Sequence, residues 1–266
     1  MCVISMLRLI YDDLSIFQFS IGITTDFMFE PSSTLIRPTH TLQSMWRYLS
    51  AERLNDLLAT EELFFTHLPA FEDAREGALT FRSREHLANW YQRQDNSTRS
   101  KAYAQVDEYQ SLQRYYYVNC WHMNDHESYL MWKAYAQRGF AIETSFERIQ
   151  ASLSNSPALV TGGVVDYVNF ERDFTPVGNT FNHVATKDLP YRDEREFRLV
   201  FWDVDPRNAD YAKVENGVRV KVDIKMLIRK IIKSPYQEPL APELERLMEA
   251  NGLSLGSSAV ATRTPR

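Results

Sequence analysis

Residues 44–66 read Ser44-Met-Trp-Arg-Tyr-Leu-Ser-Ala-Glu-Arg-Leu-Asn-Asp-Leu-Leu-Ala-Thr-Glu-Glu-Leu-Phe-Phe-Thr66. Aromatic and bulky apolar side chains over 44–48 fit a pleated, half-buried surface and predict a strand. The Ser50 hydroxyl can accept an orphan N–H of a following first turn, so it caps a helix over 51–60. Leu54, Leu57 and Leu58 stand at i, i+3 and i+4, one apolar stripe for that helix to bury. A second short strand follows at 63–66. Strand, helix and strand thus succeed one another without a linker.

Working outward, the pattern keeps mixing the two periods. Pro31, Ser32, Ser33 and Pro38 mark 31–41 as a loop. Residues 71–77 form a polar loop ending in the permissive Gly77. Ser83 caps a helix with Leu87, Trp90 and Tyr91 on one face, and 95–101 reads as a polar, mobile loop. A strand over 115–121 is rich in aromatic residues. Asn124 and Glu127 have capping-box spacing, opening a helix that gathers Met131, Trp132 and Tyr135, with Gly139 as a left-handed stop. Strands are predicted at 140–144, 163–170, 196–202, 218–224 and 227–233. Helices are predicted around Phe146, Ile149 and Leu153, and over 242–251, the latter ending at Asn251-Gly252. Helices and strands are interspersed without strict alternation, which gives an α+β class with a mixed sheet in a single domain over 44–254. Residues 1–43 form an N-terminal extension and 255–266 a frayed, flexible tail.

Composition narrows the classes of function. The chain has 266 residues, 44% of them hydrophobic, a net charge of −5 and nine glycines. A net negative charge argues against bulk nucleic-acid binding. No GxGxxG or GxxxxGK[ST] stretch is present, which removes the Gly-rich phosphate loops. Cys2 and Cys120 are the two cysteines, too few for a disulfide framework and in keeping with a reducing cytoplasm. The apolar start (Val3, Ile4, Leu7, Leu9, Ile10) is broken by Asp12 and Asp13. It is too short to span a bilayer and lacks the form of a signal peptide. It reads as an extra strand or two, or as a start that properly begins at Met28. The expected location is cytoplasmic, with no membrane partner.

Three pieces carry a resemblance to a known family: Trp46-Arg-Tyr48 with its helix and the strand 63–66; Cys120-Trp with Met131-Trp, Tyr135 and Gly139; and Tyr191-Arg-Asp-Glu-Arg-Glu-Phe-Arg198. Over roughly 44–250 the chain resembles the bacterial family called domain of unknown function 2971, a label that carries no established activity. More distantly it resembles the ADP-ribosyltransferase fold. That fold opens on a strand bearing a His or Arg, continues through a helix and a short strand, and closes on a strand bearing a catalytic Glu. Arg47, the helix 51–60, the strand 63–66 and Glu196 fall in that order. The Ser-Thr-Ser signature of one branch is absent.

That resemblance implies NAD as substrate. Breaking the nicotinamide–ribose bond builds positive charge on the sugar, which a carboxylate stabilises. Glu196 is implied in that role, with Glu194 activating an acceptor. Arg47, beside Tyr48, would hold the diphosphate or ribose with its fork of donors, and Trp132 or Tyr135 would face the cationic ring. A transferase that uses Arg47, Tyr135 and Glu196 asks for Arg47 and Glu196 in one concave pocket; side chains on opposite faces of the sheet would refute that constellation.

Other readings stand beside it. Arg192, Glu194, Glu196 and Arg198 alternate as the solvated face of a strand would, with Phe197, Leu199 and Phe201 inward. Arg47 could lay its stem over neighbouring aromatics. A non-catalytic module that binds a nucleotide or nucleic acid is one alternative; the basic run Lys221, Lys225, Arg229, Lys230 and Lys233 could meet a phosphate backbone or simply protect a sheet edge. A metal-dependent hydrolase is another. His122 and His126 have i, i+4 spacing but no HExxH order, and a third ligand would have to come from His67 or His183, so no metal is expected. Cys120 and His122 share a strand face, yet a free Cys beside Trp121 reads as a small buried hydrophobe.

Overall fold

The structure is a computed structural model and describes residues 35–94, 96, 98–236 and 240–260. Its elements run β1 (Ser44–Ser50), α1 (Ala51–Thr60), β2 (Glu62–His67), α2 (Phe81–Gln94), α3 (Arg99–Gln110), β3 (Tyr116–Met123), α4 (Tyr129–Tyr135), β4 (Gly139–Ser145), α5 (Phe146–Leu153), β5 (Val160–Val164) and β6 (Asp166–Val168). They continue with α6 (Phe181–Val184), β7 (Thr186–Asp188), β8 (Glu196–Trp202), β9 (Lys213–Val214), β10 (Gly217–Lys221), α7 (Ile224–Leu227), β11 (Lys230–Lys233), α8 (Pro242–Ala250) and β12 (Leu255–Ser257). Helices pack on a mixed sheet over a main hydrophobic core with smaller clusters beside it, so the class is α+β. No helix among the described residues is long and apolar enough to cross a membrane.

The sheet branches at β3. One edge of β3 pairs antiparallel with β8 from Tyr116↔Trp202 to His122↔Glu196, and β8 in turn pairs with β5. The other edge is divided. β2 pairs at Val118 and Tyr117, whereas β1 pairs at Met123 and His122. The two ladders therefore leave the sheet open beside Asn119–Trp121. One arm continues β1–β4–β11–β12 and the other β2–β10–β9. Side chains bridge the opening: the Phe64 carbonyl accepts from Asn119 Nδ2 at 2.9 Å and from Arg47 Nη2 at 3.4 Å.

Helices cover one face of the sheet. Leu54, Leu57 and Leu58 of α1, Ile149 and Leu153 of α5, and Leu244 and Met248 of α8 pack on Met45, Leu49, Trp121, Phe197, Leu199 and Phe201. Burial of such side chains contributes roughly 1.5–3 kcal/mol each. Ser50 caps α1 as its sequence predicts, accepting from Arg53 N–H at 3.3 Å. The opposite face is covered only in part, by α4 against Trp46 and Tyr48 and by α6 against Tyr116, Val118 and Val200. A cleft remains between them.

Several expectations need correction. Thr80, not Ser83, takes the first-turn N–H of α2; Ser83 lies inside the helix, where its buried hydroxyl donates to the Thr175 carbonyl. Within the stretch predicted as a mobile loop, Thr98 caps α3, a helix with weak amphipathic signal whose Ala102 and Val106 are buried. Asp95 and Ser97 lie outside the described residues. The capping box fails because Ser128 caps α4, while Glu127 accepts the Trp132 indole N–H at 2.7 Å. Gly139 is not a left-handed stop. It opens β4 where a Cβ would lie 2.2 Å from the Leu49 carbonyl oxygen, so it permits close strand approach. Residues 163–170 divide between β5 and β6, and 218–224 ends in α7.

Both domain limits also move. Residues 35–43, assigned to the extension, lie on the domain: Leu35 is buried, Ile36 O accepts from Val164 N–H, and Thr41 O accepts from Glu147 N–H. Residues 255–257 of the expected flexible tail form β12, parallel to β11. Residues 1–34 and 261–266, with the predictions made for them, lie outside the described residues.

Candidate functional site

The cleft on the partly covered face encloses about 590 Å³. Its floor is the branch of the sheet, with Arg47, Tyr48, Cys120, Trp121 and His122. Tyr135 of α4 stands on one wall and the polar loop with Glu72, Asp73 and Glu76 on another. Lys187, Tyr191, Glu194 and Glu196 close the third side.

Strand register fixes where the predicted residues point. Cross-strand partners share a face, and Trp46, His122 and Glu196 are successive partners. Arg47, one residue on, leaves β1 on the opposite face, with Met45, Leu49 and Trp121. The reading that takes Arg47 and Glu196 as its catalytic pair requires them on one face of the sheet, and in that form it is refuted. Both still line the cleft, because the sheet opens beside Asn119–Trp121 and the Arg47 guanidinium occupies that opening. It lies 5.8 Å from the centre of the Trp121 ring. Its Nη1 is buried without a partner, and among the described residues no carboxylate pairs with it. Burial lowers its pKa to about 10, since a charged guanidinium is poorly solvated there. Arg53 of α1 stands beside it, exposed, at the cleft rim.

The carboxylates sit in an ion cluster that local sequence did not foretell. Lys187 Nζ lies 2.6 Å from Glu194 Oε2, 2.7 Å from Glu196 Oε1 and 3.2 Å from Glu76 Oε1. Arg198 Nε lies 2.9 Å from Glu196 Oε2, and its Nη1 2.8 Å from Glu76 Oε2. Arg198 is 0% and Glu196 5% exposed, so the alternating charges on β8 are not a solvated face. Burial alone would raise the Glu196 carboxyl, but the Arg198 and Lys187 charges outweigh it and hold the group well below the usual carboxylate range. The same logic raises Lys187: burial disfavours its charge, and Glu196 and Glu76 more than compensate.

Glu194 differs from Glu196. It precedes β8 at the end of a 3-10 turn, and Arg195 between them is left-handed at φ 43°. Both carboxylates reach Lys187 because of this turn, and not through the strand alternation that the sequence suggests. Glu194 Oε1 accepts from the Tyr135 hydroxyl at 2.7 Å, and its backbone carbonyl lies 2.6 Å from His122 Nδ1. Burial lifts its carboxyl above the ordinary value. Its side chain is the more exposed of the two, 19% against 6%. The cluster holds three carboxylates, Glu76, Glu194 and Glu196, against two cations, Lys187 and Arg198, and the surplus acid faces the cleft at Glu194.

The predicted aromatics separate likewise. Tyr135 is 51% exposed at the cleft wall. Tyr48 is buried beneath it, its oxygen accepting the Ser128 N–H. Trp132 is 0% exposed and edge-on to Tyr48 at 5.0 Å. It is a core residue, packed against Trp46 and Tyr48, and cannot stack on a ligand. Sequence reasoning missed Lys187 and Glu76, which lie in segments without periodic signal and meet β8 only through the tertiary fold.

Burial pushes the Cys120 thiol up, with the Glu196 charge adding to it, which suits a packed thiol and not a nucleophile. His122 lies on β3 and His126 in the loop after it, so their i, i+4 spacing does not fall on a helix. Among the described residues no three His, Cys, Asp or Glu side chains gather as metal ligands do. The chain matches no family model, no curated protein and no solved structure in these comparisons.

Proposed function

We propose that the cleft binds a nucleotide through its phosphates, and that its substrate is NAD, cleaved at the nicotinamide–ribose bond for hydrolysis or transfer of ADP-ribose. One observation carries this: a single cleft joins Arg47, half-buried with its Nη1 unpartnered and no carboxylate beside it among the described residues, to a carboxylate cluster with one acid in excess. NAD has the complementary polarity, an anionic diphosphate and a cationic nicotinamide. The diphosphate neutralises Arg47, helped by Arg53 at the rim. The nicotinamide ring meets the face of Tyr135 and the surplus charge at Glu194. As the glycosidic bond breaks, its electron pair leaves with nicotinamide, the ribose becomes oxocarbenium-like, and water or an acceptor hydroxyl completes the substitution. Glu194 is the carboxylate at hand to stabilise that charge; Glu196 stays behind it and fixes Lys187.

The test is ADP-ribose binding by calorimetry together with NAD consumption. Wild type is expected to do both, Arg47→Ala to lose binding, and Glu194→Gln to bind while losing turnover. Wild type that neither binds ADP-ribose nor consumes NAD sinks the proposal. A second reading has its own support. Both Glu194 oxygens and both Glu196 oxygens already have protein partners, as in a rigid structural network. Binding without consumption of NAD would make the protein a nucleotide-binding module.

A further inference from the structure

The six residues 255–260 end their path against α4, the helix that carries Tyr135. β12 lies parallel to β11, Ile231↔Leu255 to Lys233↔Ser257. Beyond it the chain turns onto Glu127, whose carboxylate accepts from Ser258 Oγ at 2.6 Å and from the Ala259 N–H. The same carboxylate accepts the Trp132 indole N–H. Val260 packs on the cluster of Trp46, Tyr48, Trp132, Ala136 and Ile232. One carboxylate thus ties the chain's last described residues to the first turn before α4 and to its central tryptophan. Tyr135 follows one turn later and reaches Glu194.

We propose that residues 255–260 form a releasable strap that fixes α4 and so sets the position of Tyr135 in the cleft. The attachment is strong in number but local. Three charge-assisted or shared hydrogen bonds meet at Glu127, while β12 itself is three residues of parallel edge strand with exposed ends, a pairing weaker than an antiparallel one. Edge segments of this kind open before the core does. Release strips Glu127 of two donors and uncovers the Trp132–Ile232 cluster, so α4 loosens while the rest of the sheet keeps its pairing. Tyr135 is here a positioning residue, and its effect on ligand rests on the proposed nucleotide cleft.

Two variants of the full chain separate the strap from that reading: deletion of residues 255–266, and Ala259→Pro, which removes the N–H donated to Glu127 and leaves the cleft residues intact. Amide exchange across Tyr129–Tyr135 is read first, without ligand. An increase of tenfold or more in both variants, with β3 and β8 amides unchanged, is expected; exchange equal to wild type in both overturns the strap. ADP-ribose is then titrated as probe, with a loss of affinity of fivefold or more expected. Faster exchange with unchanged affinity overturns the link to the cleft. Wild type that fails to bind ADP-ribose defeats the nucleotide reading instead, and the exchange result still decides whether the strap exists.

Discussion

Replacing Arg47 by Met should make the protein more stable and less able to bind an anion. Arg47 Nη1 is buried without a partner, and among the described residues no acid pairs with the guanidinium. Its fall from 12.5 to about 10 corresponds to roughly 3 kcal/mol against the charged form. That figure must be discounted, because the side chain is only partly buried and keeps the Phe64 carbonyl and the Trp121 face. Met retains most of the stem and its packing. A net gain of about 1–2 kcal/mol remains, in line with the replacement of buried charges by apolar groups. For a chain of this size that raises the midpoint of thermal unfolding by roughly 2–8 °C. Urea unfolding at pH 7 measures the gain, and the shift produced by added ADP-ribose measures the binding. Bound anion stabilises wild type by mass action and should leave the Met variant unmoved. A variant destabilised by more than about 1 kcal/mol, or one that ADP-ribose stabilises as it does wild type, would refute an uncompensated arginine awaiting an anion.

Other perturbations test the frame around it. Lys187→Met leaves Glu76, Glu194 and Glu196 with only Arg198 and should cost about 3–5 kcal/mol; a urea midpoint close to wild type would mean that the cluster re-pairs through solvent. His183 is buried with both ring nitrogens unpartnered, and burial lowers its pKa to about 4. Its neutral form is the folded one, so stability is full above the unfolded value of 6.5 and falls as pH drops toward 4, by roughly 3 kcal/mol. Unfolding free energies at several pH values should show His183→Leu flatter than wild type over that window, and an unchanged slope would exclude His183 as the cause. Glu196 acts lower on the scale: its depressed carboxyl stabilises the fold above the ordinary carboxylate range and ceases to as pH falls through its folded value. Gly139→Ala drives a Cβ into the Leu49 carbonyl and should cost about 1–3 kcal/mol, seen as faster amide exchange along β1 and β4.

Much of the fold could be read from local pattern. The stripe of Leu54, Leu57 and Leu58 with Ser50 before it gave α1 its limits, and Glu196–Trp202 emerged as β8 from alternation alone. Periodicity and capping act within a few residues, so they survive without the rest of the chain. Where capping residues compete, the local rule fails: Thr80 wins over Ser83 and Ser128 over Asn124, because tertiary partners claim Ser83 (the Thr175 carbonyl) and Glu127 (Ser258 and the Ala259 N–H).

The candidate site divides along the same line. Sequence alone singled out Arg47, Tyr48, Trp132, Tyr135, Glu194 and Glu196, and the cleft brings together all of them but Trp132, which lies in the core. It could not say which faces a ligand. Facing is set by cross-strand register, which put Arg47 and Glu196 on opposite sides of the sheet. The opening in the sheet comes from β1 and β2 sharing one edge of β3. Only the tertiary fold carried Lys187 and Glu76 to Glu196 and turned an apparently solvated run of charges into a buried cluster. An ion pair acts across space and leaves no period in the sequence, whereas a helix or strand writes its own period residue by residue.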